Sequence, residues 1–199
     1  MGQDFIQDEE VIAKILAGDV DSFAILVRQY HVAIRSYCFH MLRDHSLAED
    51  AGQDIFRKAY INLSSFRREA SFKSWLYRIA TNQCRDLLRS ARRKPTESWD
   101  ELVEIHGERI ESLLTSSETS SRVDDLEIVS KILEQMPEDY REIILLKELD
   151  GLSYQEIALT LECSLDAVKG RLKRARALLD EKLRHFYTDS SVTNLKRQI

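Results

Sequence analysis

The chain has 199 residues, with 29 Lys+Arg against 34 Asp+Glu and a formal charge of −5, which suits one large domain or two small ones. Only two prolines and six glycines interrupt it, and its abundance of Leu, Ile, Ala, Glu and Arg favours helix. No apolar run reaches the roughly 18–20 residues needed to cross a bilayer, and the acidic start MGQDFIQDEE carries no charged-then-apolar leader, so a cytoplasmic protein without direct membrane insertion is expected. Cys38, Cys84 and Cys163 form no C-x-x-C pair and read as buried thiols of a reducing compartment.

Along the chain, Phe23, Leu26, Val27, Tyr30, Ile34, Tyr37, Cys38 and Met41 recur at helical spacing and predict a helix over Asp21 to Arg43. A second helix follows from Leu47 to Leu63, with Ala51, Ile55 and Ala59 on one side. After the loop-like SSFRREAS, a third runs from Ser71, a plausible N-cap, to about Arg93. From Pro95 the character changes: TESWDELVEIHGERIESLLTSSETSSRVDD is acidic and rich in Ser, Thr and Glu, the bias of a flexible linker. Order resumes near Asp124 in VDDLEIVSKILEQM. Pro137 then opens PEDYREIILLKEL at its first helical position, and that helix stops at Asp150-Gly151.

Ser153-x-x-Glu156 is a capping box for a short helix carrying Ile157, Ala158 and Leu161 on one side. After the turn ECS, Ser164 caps a further helix whose buried stripe is Leu165, Val168, Leu172, Ala175, Leu179 and Leu183. Asp166, Ala167, Gly170, Lys173 and Arg174 lie opposite that stripe, with Lys169 and Arg171 flanking them. Small residues at 167 and 170 permit close backbone approach, and the cations can reach phosphates or guanine edges, so the pair reads as a helix-turn-helix for duplex DNA. Glu162 stands in the turn where glycine is usual, at a cost if the backbone there is left-handed.

The overall negative charge hides a strong segregation. Phe66 to Lys94 carries nine Lys/Arg against two acids, Pro95 to Glu127 ten acids against two arginines, and Ser164 to His185 seven Lys/Arg against three acids. Phosphate binding depends on such local fields rather than on the total. In SFKSWLYRIATNQCRDLLRSARRK, Leu76, Ile79, Gln83 and Leu87 share one helix side and Arg78, Asn82, Arg85 and Arg89 the other, with Phe72, Trp75 and Tyr77 interleaved. Cations that follow a backbone beside aromatic faces that hold unstacked bases are the ingredients of single-strand recognition. The aromatics, Trp75 included, can equally serve the core.

With these motifs in this order, the chain resembles bacterial sigma factors of the sigma-70 type, in the compact extracytoplasmic-function (ECF) group. AEDAGQDIFRKAYINLSSF is similar to the core-polymerase-binding segment, SFKSWLYRIATNQCRDLL to the promoter-melting and minus-ten segment, and MPEDYREIILLKELDGLSYQEIALTLECSLDAVKGRLKRAR to the minus-thirty-five domain. The resemblance implies an all-α fold: two small helical domains joined by a flexible acidic linker, the C-terminal one containing the helix-turn-helix. Its expected divisions are residues 1–94, a linker at 95–123, residues 124–187, and a tail at 188–199 without an assigned role. It further implies that Asp50, Gln53, Asp54 and Phe56 dock on a coiled coil of the largest subunit of RNA polymerase core. Phe66, Arg67, Phe72, Trp75, Arg78, Asn82 and Arg85 would take the opened, single-stranded minus-ten DNA. Lys169, Gly170, Arg171, Lys173 and Arg174 would hold the minus-thirty-five duplex. The acidic linker would thread toward the polymerase active-site channel, and an anti-sigma factor is an expected partner. Gly52 departs from the family's usual aliphatic residue.

No catalytic residue, metal site or cofactor is expected. His40, His45 and Glu49 match no compact ligand spacing, and no phosphate-cradling loop, nucleophile elbow or carboxylate pair stands out. The rival readings are a helix-turn-helix regulator acting without polymerase and a sigma-like decoy for an anti-sigma factor. Neither explains cations retained in both halves.

Overall fold

The computed structural model describes residues 2–67, 70–93 and 128–196, excepting the side chains of 2–7 and 187–196. The described residues are predominantly helical, without a strand. The expected linker at 95–123 and the last residues of the tail lie outside them.

The acidic N-terminus forms α1, Gly2–Leu16, which was not anticipated. Its Val11, Ile12 and Ile15 are buried, and Asp8 accepts a 2.5 Å hydrogen bond from the Tyr30 hydroxyl. The helix expected from Asp21 instead begins with a 3₁₀ turn, Val20–Ser22, before α2, Phe23–Leu42. The turn tightens because Gly18 takes φ +107° and the Ser22 hydroxyl donates to Asp19 at 2.7 Å. Arg43 ends α2 in a left-handed conformation, and Asp44 caps α3, His45–Asn62, by accepting from the Leu47 N–H at 2.8 Å. Ser71 caps α4, Phe72–Arg93, as the sequence predicts, accepting from the Ser74 N–H at 3.2 Å. Leu26, Ile34, Tyr37, Met41, Ile55, Leu63, Phe72, Leu76 and Tyr77 fill the space between these helices and are nearly inaccessible to solvent.

The C-terminal half begins with α5, described over 128–134, and continues through α6, Glu138–Ile144. Pro137 is the N-cap of α6 rather than its first helical residue. Its ψ of 142° is extended, and its carbonyl already accepts from the Arg141 N–H at 2.9 Å. The end of α6 widens into a π turn, Leu145–Leu149, which stops at Gly151 with φ +69°. The capping box of α7, Tyr154–Thr160, is formed in both directions: the Glu156 N–H donates to Ser153 Oγ at 3.2 Å, and the Ser153 N–H to Glu156 Oε2 at 2.9 Å. Ser164 caps α8, Leu165–Lys196, through the Ala167 N–H at 3.2 Å. That helix runs past residue 188, where a tail was expected to begin. Ile143, Leu146, Ile157, Val168 and Leu172 form the centre of this half.

The two halves are packed together, with α4 against α7 and the end of α2 against α6. Arg141, 4% exposed, is the central joint. Its guanidinium donates to the carbonyls of Leu133 (2.8 Å), Met136 (3.0 Å) and Glu134 (3.1 Å) in its own half, and of Met41 (3.1 Å) at the end of α2. A cation is well placed there, because the last carbonyls of a helix lack intrahelical partners and carry partial negative charge.

Candidate nucleic-acid and polymerase interfaces

Two basic helices carry the site residues read from the sequence. In α8, Val168, Leu172 and Ala175 are buried while Lys169, Lys173 and Arg174 face solvent, as the periodicity requires. Gly170 leaves room for the Arg174 guanidinium, which passes 3.7 Å from where a Cβ would stand. Lys169 lies 3.5 Å from Asp166, a solvent-exposed and therefore weak pair. Arg171 is half-buried. The helix thus offers a row of cations over small residues at its N-terminal end, the shape a major groove accepts.

In α4 the basic face is present but engaged. Positions 71, 78, 85 and 92 recur every seven residues, two helical turns, and each holds a glutamate of the other half. Ser71 donates to Glu156 at 2.7 Å, Arg78 pairs with Glu162, Arg85 with Glu142 at 2.6 Å and Arg92 with Glu138 at 2.6 Å. Between them Lys73 donates to the Asp150 carbonyl and the Tyr77 hydroxyl to the Asp150 carboxylate, both at 2.5 Å, while the Thr160 hydroxyl donates to the Ser74 carbonyl at 3.3 Å. Burial raises Asp150 to about 6, against the counter-pull of the Tyr77 hydroxyl and Lys73. Burial also raises Glu142, although Arg85 opposes it. Burial alone would raise Glu156, yet the hydrogen bonds from Ser153, Ser71 and Ser74 hold it below its ordinary value.

Beside this stripe sits an aromatic cluster. Trp75 lies 5.4 Å from Phe66 and 5.7 Å from Phe72, and Phe66 meets Phe72 edge-on at 6.0 Å, distances typical of favourable ring pairs. Phe72 is buried, Phe66 and Trp75 are half-buried, and Arg67 and Asn82 are exposed. Residues 68 and 69 of the adjoining loop are outside the described set.

Models of the sigma-70 family match both halves: region 2 over residues 26–94 and region 4 over residues 126–179. The chain is 33% identical to the RNA polymerase sigma-H factor of Pseudomonas aeruginosa over 181 residues, covering 89% of this chain and 94% of that one. It is 34% identical to the ECF RNA polymerase sigma-E factor of Escherichia coli K12 over 184 residues, covering 89% and 95%. This chain belongs to the sigma-70 family, in its ECF group. Among solved structures it matches the sigma factor RpoE of Bartonella quintana, crystallised in complex with the anti-sigma factor NepR, with a TM-score of 0.64 and 28% identity over 81% of this chain and 96% of that one.

In this sigma factor the residues of the region 2 docking segment divide by exposure. Asp50 and Gln53 are exposed on α3, and Asp54 is half-buried and accepts from Arg57 at 3.0 Å. Phe56 is only 9% exposed, so it supports α3 from beneath rather than standing on its surface. His45, which an imagined metal set would need, stacks instead on Phe39 at 4.1 Å. Gly52 lies in mid-helix with nothing within 4 Å of an added Cβ. The sequence reading named no partner across the halves for Lys73, Tyr77, Glu138, Glu142, Asp150 or Glu156, which join them. One signal was available: Arg141-Glu142 interrupts an otherwise apolar run, and charges in such a place need partners.

Proposed function

We propose that this sigma factor, which directs transcription initiation, joins RNA polymerase core through the exposed part of α3 around Asp50, Gln53 and Asp54, docking on the largest-subunit coiled coil. α8 then holds the minus-thirty-five duplex through Lys169, Arg171, Lys173 and Arg174, with Gly170 allowing close approach. α4 and the loop before it take the minus-ten strand once opened: Arg78 and Arg85 on its backbone, Asn82 and the Phe66–Trp75 cluster at its bases, Arg67 at the rim. The observation that supports this reading best is the coexistence, in one chain, of a solvent-facing basic recognition helix and a second basic helix beside an aromatic cluster. A regulator working alone needs only the first. The working divisions are residues 1–94 for polymerase and minus-ten DNA and 124–187 for minus-thirty-five DNA, with 95–123 as the connection. The polymerase supplies all of the chemistry, so the chain itself acts in the cytoplasm as a non-enzymatic subunit. An anti-sigma factor is a proposed partner, in keeping with the RpoE complex.

Transcription of genomic DNA fragments by purified core polymerase, with and without the chain, tests the assignment. Promoter-specific initiation only in its presence is expected, and its absence would return the decoy or regulator reading. Replacing Asp50 and Gln53 by alanine should abolish core association while leaving the helical signal intact. Retained association would place the docking surface elsewhere.

A further inference from the structure

The recognition face of α8 carries an acid among its cations. Asp166 is the second residue of that helix, and successive residues turn by about 100°. Around the helix axis it lies about 20° from Lys173, about 40° from Gly170 and about 60° from Lys169. That is the middle of the row assigned above to the minus-thirty-five duplex. Its side chain is 94% exposed, and Ala167 and Gly170 beside it are small, so the groove can approach it closely.

Helix building does not account for this placement. Ser164 already caps α8, accepting from the Ala167 N–H at 3.2 Å. The helix dipole favours an acid in the first turn, but it does so on any side, including the one away from the cations. Phosphate binding argues against it, because a carboxylate facing the duplex repels the backbone that Lys169, Lys173 and Arg174 attract. Lys169, with its Nζ 3.5 Å from Asp166 Oδ1, offsets that repulsion only weakly, as an exposed pair. A carboxylate here needs a donor on the DNA, and the major groove has two, cytosine N4 and adenine N6. On adenine the N7 acceptor stands beside the amino group and repels an ionised acid. Guanine presents acceptors alone, and thymine an acceptor and a methyl group. Cytosine is the edge that suits.

We infer that Asp166 is a specificity-determining residue of the minus-thirty-five reader, accepting a hydrogen bond from the N4 amino group of one cytosine in the major groove. This rests on the duplex-binding role proposed for α8. The cations hold phosphates of any sequence, whereas Asp166 accepts one base edge and repels the others. It gives up affinity for selectivity, which is how a repulsive element sharpens recognition.

The test uses holoenzyme made with the full chain and a promoter taken from the genomic transcription assay, its minus-thirty-five segment randomised. Bound duplexes are sequenced for wild type, Asp166→Ala and Asp166→Asn. Wild type should favour cytosine at one position by about fivefold or more over the other bases, the worth of one good base contact. Asp166→Ala should flatten the preference at that position and leave the others in place. Asp166→Asn adds an amide donor beside its acceptor and should move the preference there toward adenine, whose N6 and N7 match that pair. An unchanged profile in Asp166→Ala would overturn the inference. Tighter binding to all sequences alike would overturn it too, since the carboxylate would then act by repulsion alone. An Asp166→Asn profile identical to that of Asp166→Ala would do the same, because the side chain would not reach the base edge. Lys173→Ala/Arg174→Ala tests the underlying assignment separately: if promoter binding keeps its salt dependence in that variant, α8 is not the reader, whatever the Asp166 profiles show.

Discussion

α4 and α8 are both basic, both capped by serine and both amphipathic, but they stand in opposite circumstances. On α8, Lys169, Lys173 and Arg174 point to water, and the acid beside Lys169 is Asp166 of the same helix, although Arg176 further along pairs with Glu148 at 2.6 Å. On α4, Arg78, Arg85 and Arg92 are held by glutamates 46 to 84 residues away in sequence. Local charge composition makes the two helices equivalent, whereas tertiary pairing makes one available and the other spoken for. A positive segment is thus a statement about potential partners, and the fold decides which partner has it.

The most severe way to break the contrast is through Arg141. Arg141→Ala strips four well-placed hydrogen bonds from buried carbonyls and should destabilise the chain by about 3–5 kcal/mol. Chemical denaturation should register it as a large fall in midpoint, with the C-terminal half losing protection first in hydrogen exchange. A loss under 1 kcal/mol would mean that α5 and α6 hold together without the arginine.

On the open side of the comparison, Lys173→Ala/Arg174→Ala should lower the slope of log affinity against log salt for promoter duplex by about 2, with affinity falling roughly tenfold or more at low salt. Holoenzyme binding titrated across salt concentrations reads this directly. An unaltered slope would show that these cations touch no phosphate.

The closed side should respond to acid. Asp150 titrates at about 6 in the packed chain, above the ordinary 3.8. Its protonated form therefore favours the packed state, and its contribution is fully present below about pH 4, declines as pH rises through 6 and is constant above that. Asp150→Asn keeps an acceptor for Tyr77 and should remove about 1–2 kcal/mol of the pH dependence of stability between pH 7 and 5. Glu142, also raised, acts in the same sense. Glu156, held low, and His40, which burial pushes down against the pull of Glu134, act in the opposite one. Paired melts of wild type and variant isolate the Asp150 share.

The smallest expected effect is at Gly52. An alanine there meets nothing within 4 Å and should raise stability by about 0.5–1 kcal/mol. Thermal denaturation should shift upward with polymerase binding unchanged. A downward shift would mean that neighbouring side chains close on the site.

Much of this arrangement was written locally. Ser71, Ser153 with Glu156, and Ser164 cap the helices they were read to cap, because a cap is decided within three residues. The buried stripe of α8 follows from period alone. α1 was passed over because its first ten residues are acidic and only Val11, Ile12 and Ile15 mark an inner face. The row of glutamates on α4 had no local signature at all: Glu138 and Glu156 look like ordinary acids in a first helical turn, where the helix dipole already favours them. Only Glu142, inside an apolar run, and Glu162, where glycine was expected, hinted at a distant partner.

The cysteines add a practical consequence. Cys38 and Cys84 are buried free thiols with their sulfurs in contact at 3.8 Å, and the contact with Cys38 together with burial raises the Cys84 thiol, which suppresses the reactive thiolate. Cys163 is only half-buried and follows Glu162 directly. The unmodified chain therefore offers a maleimide dye one favoured attachment point, one residue from the Glu162–Arg78 contact between the halves.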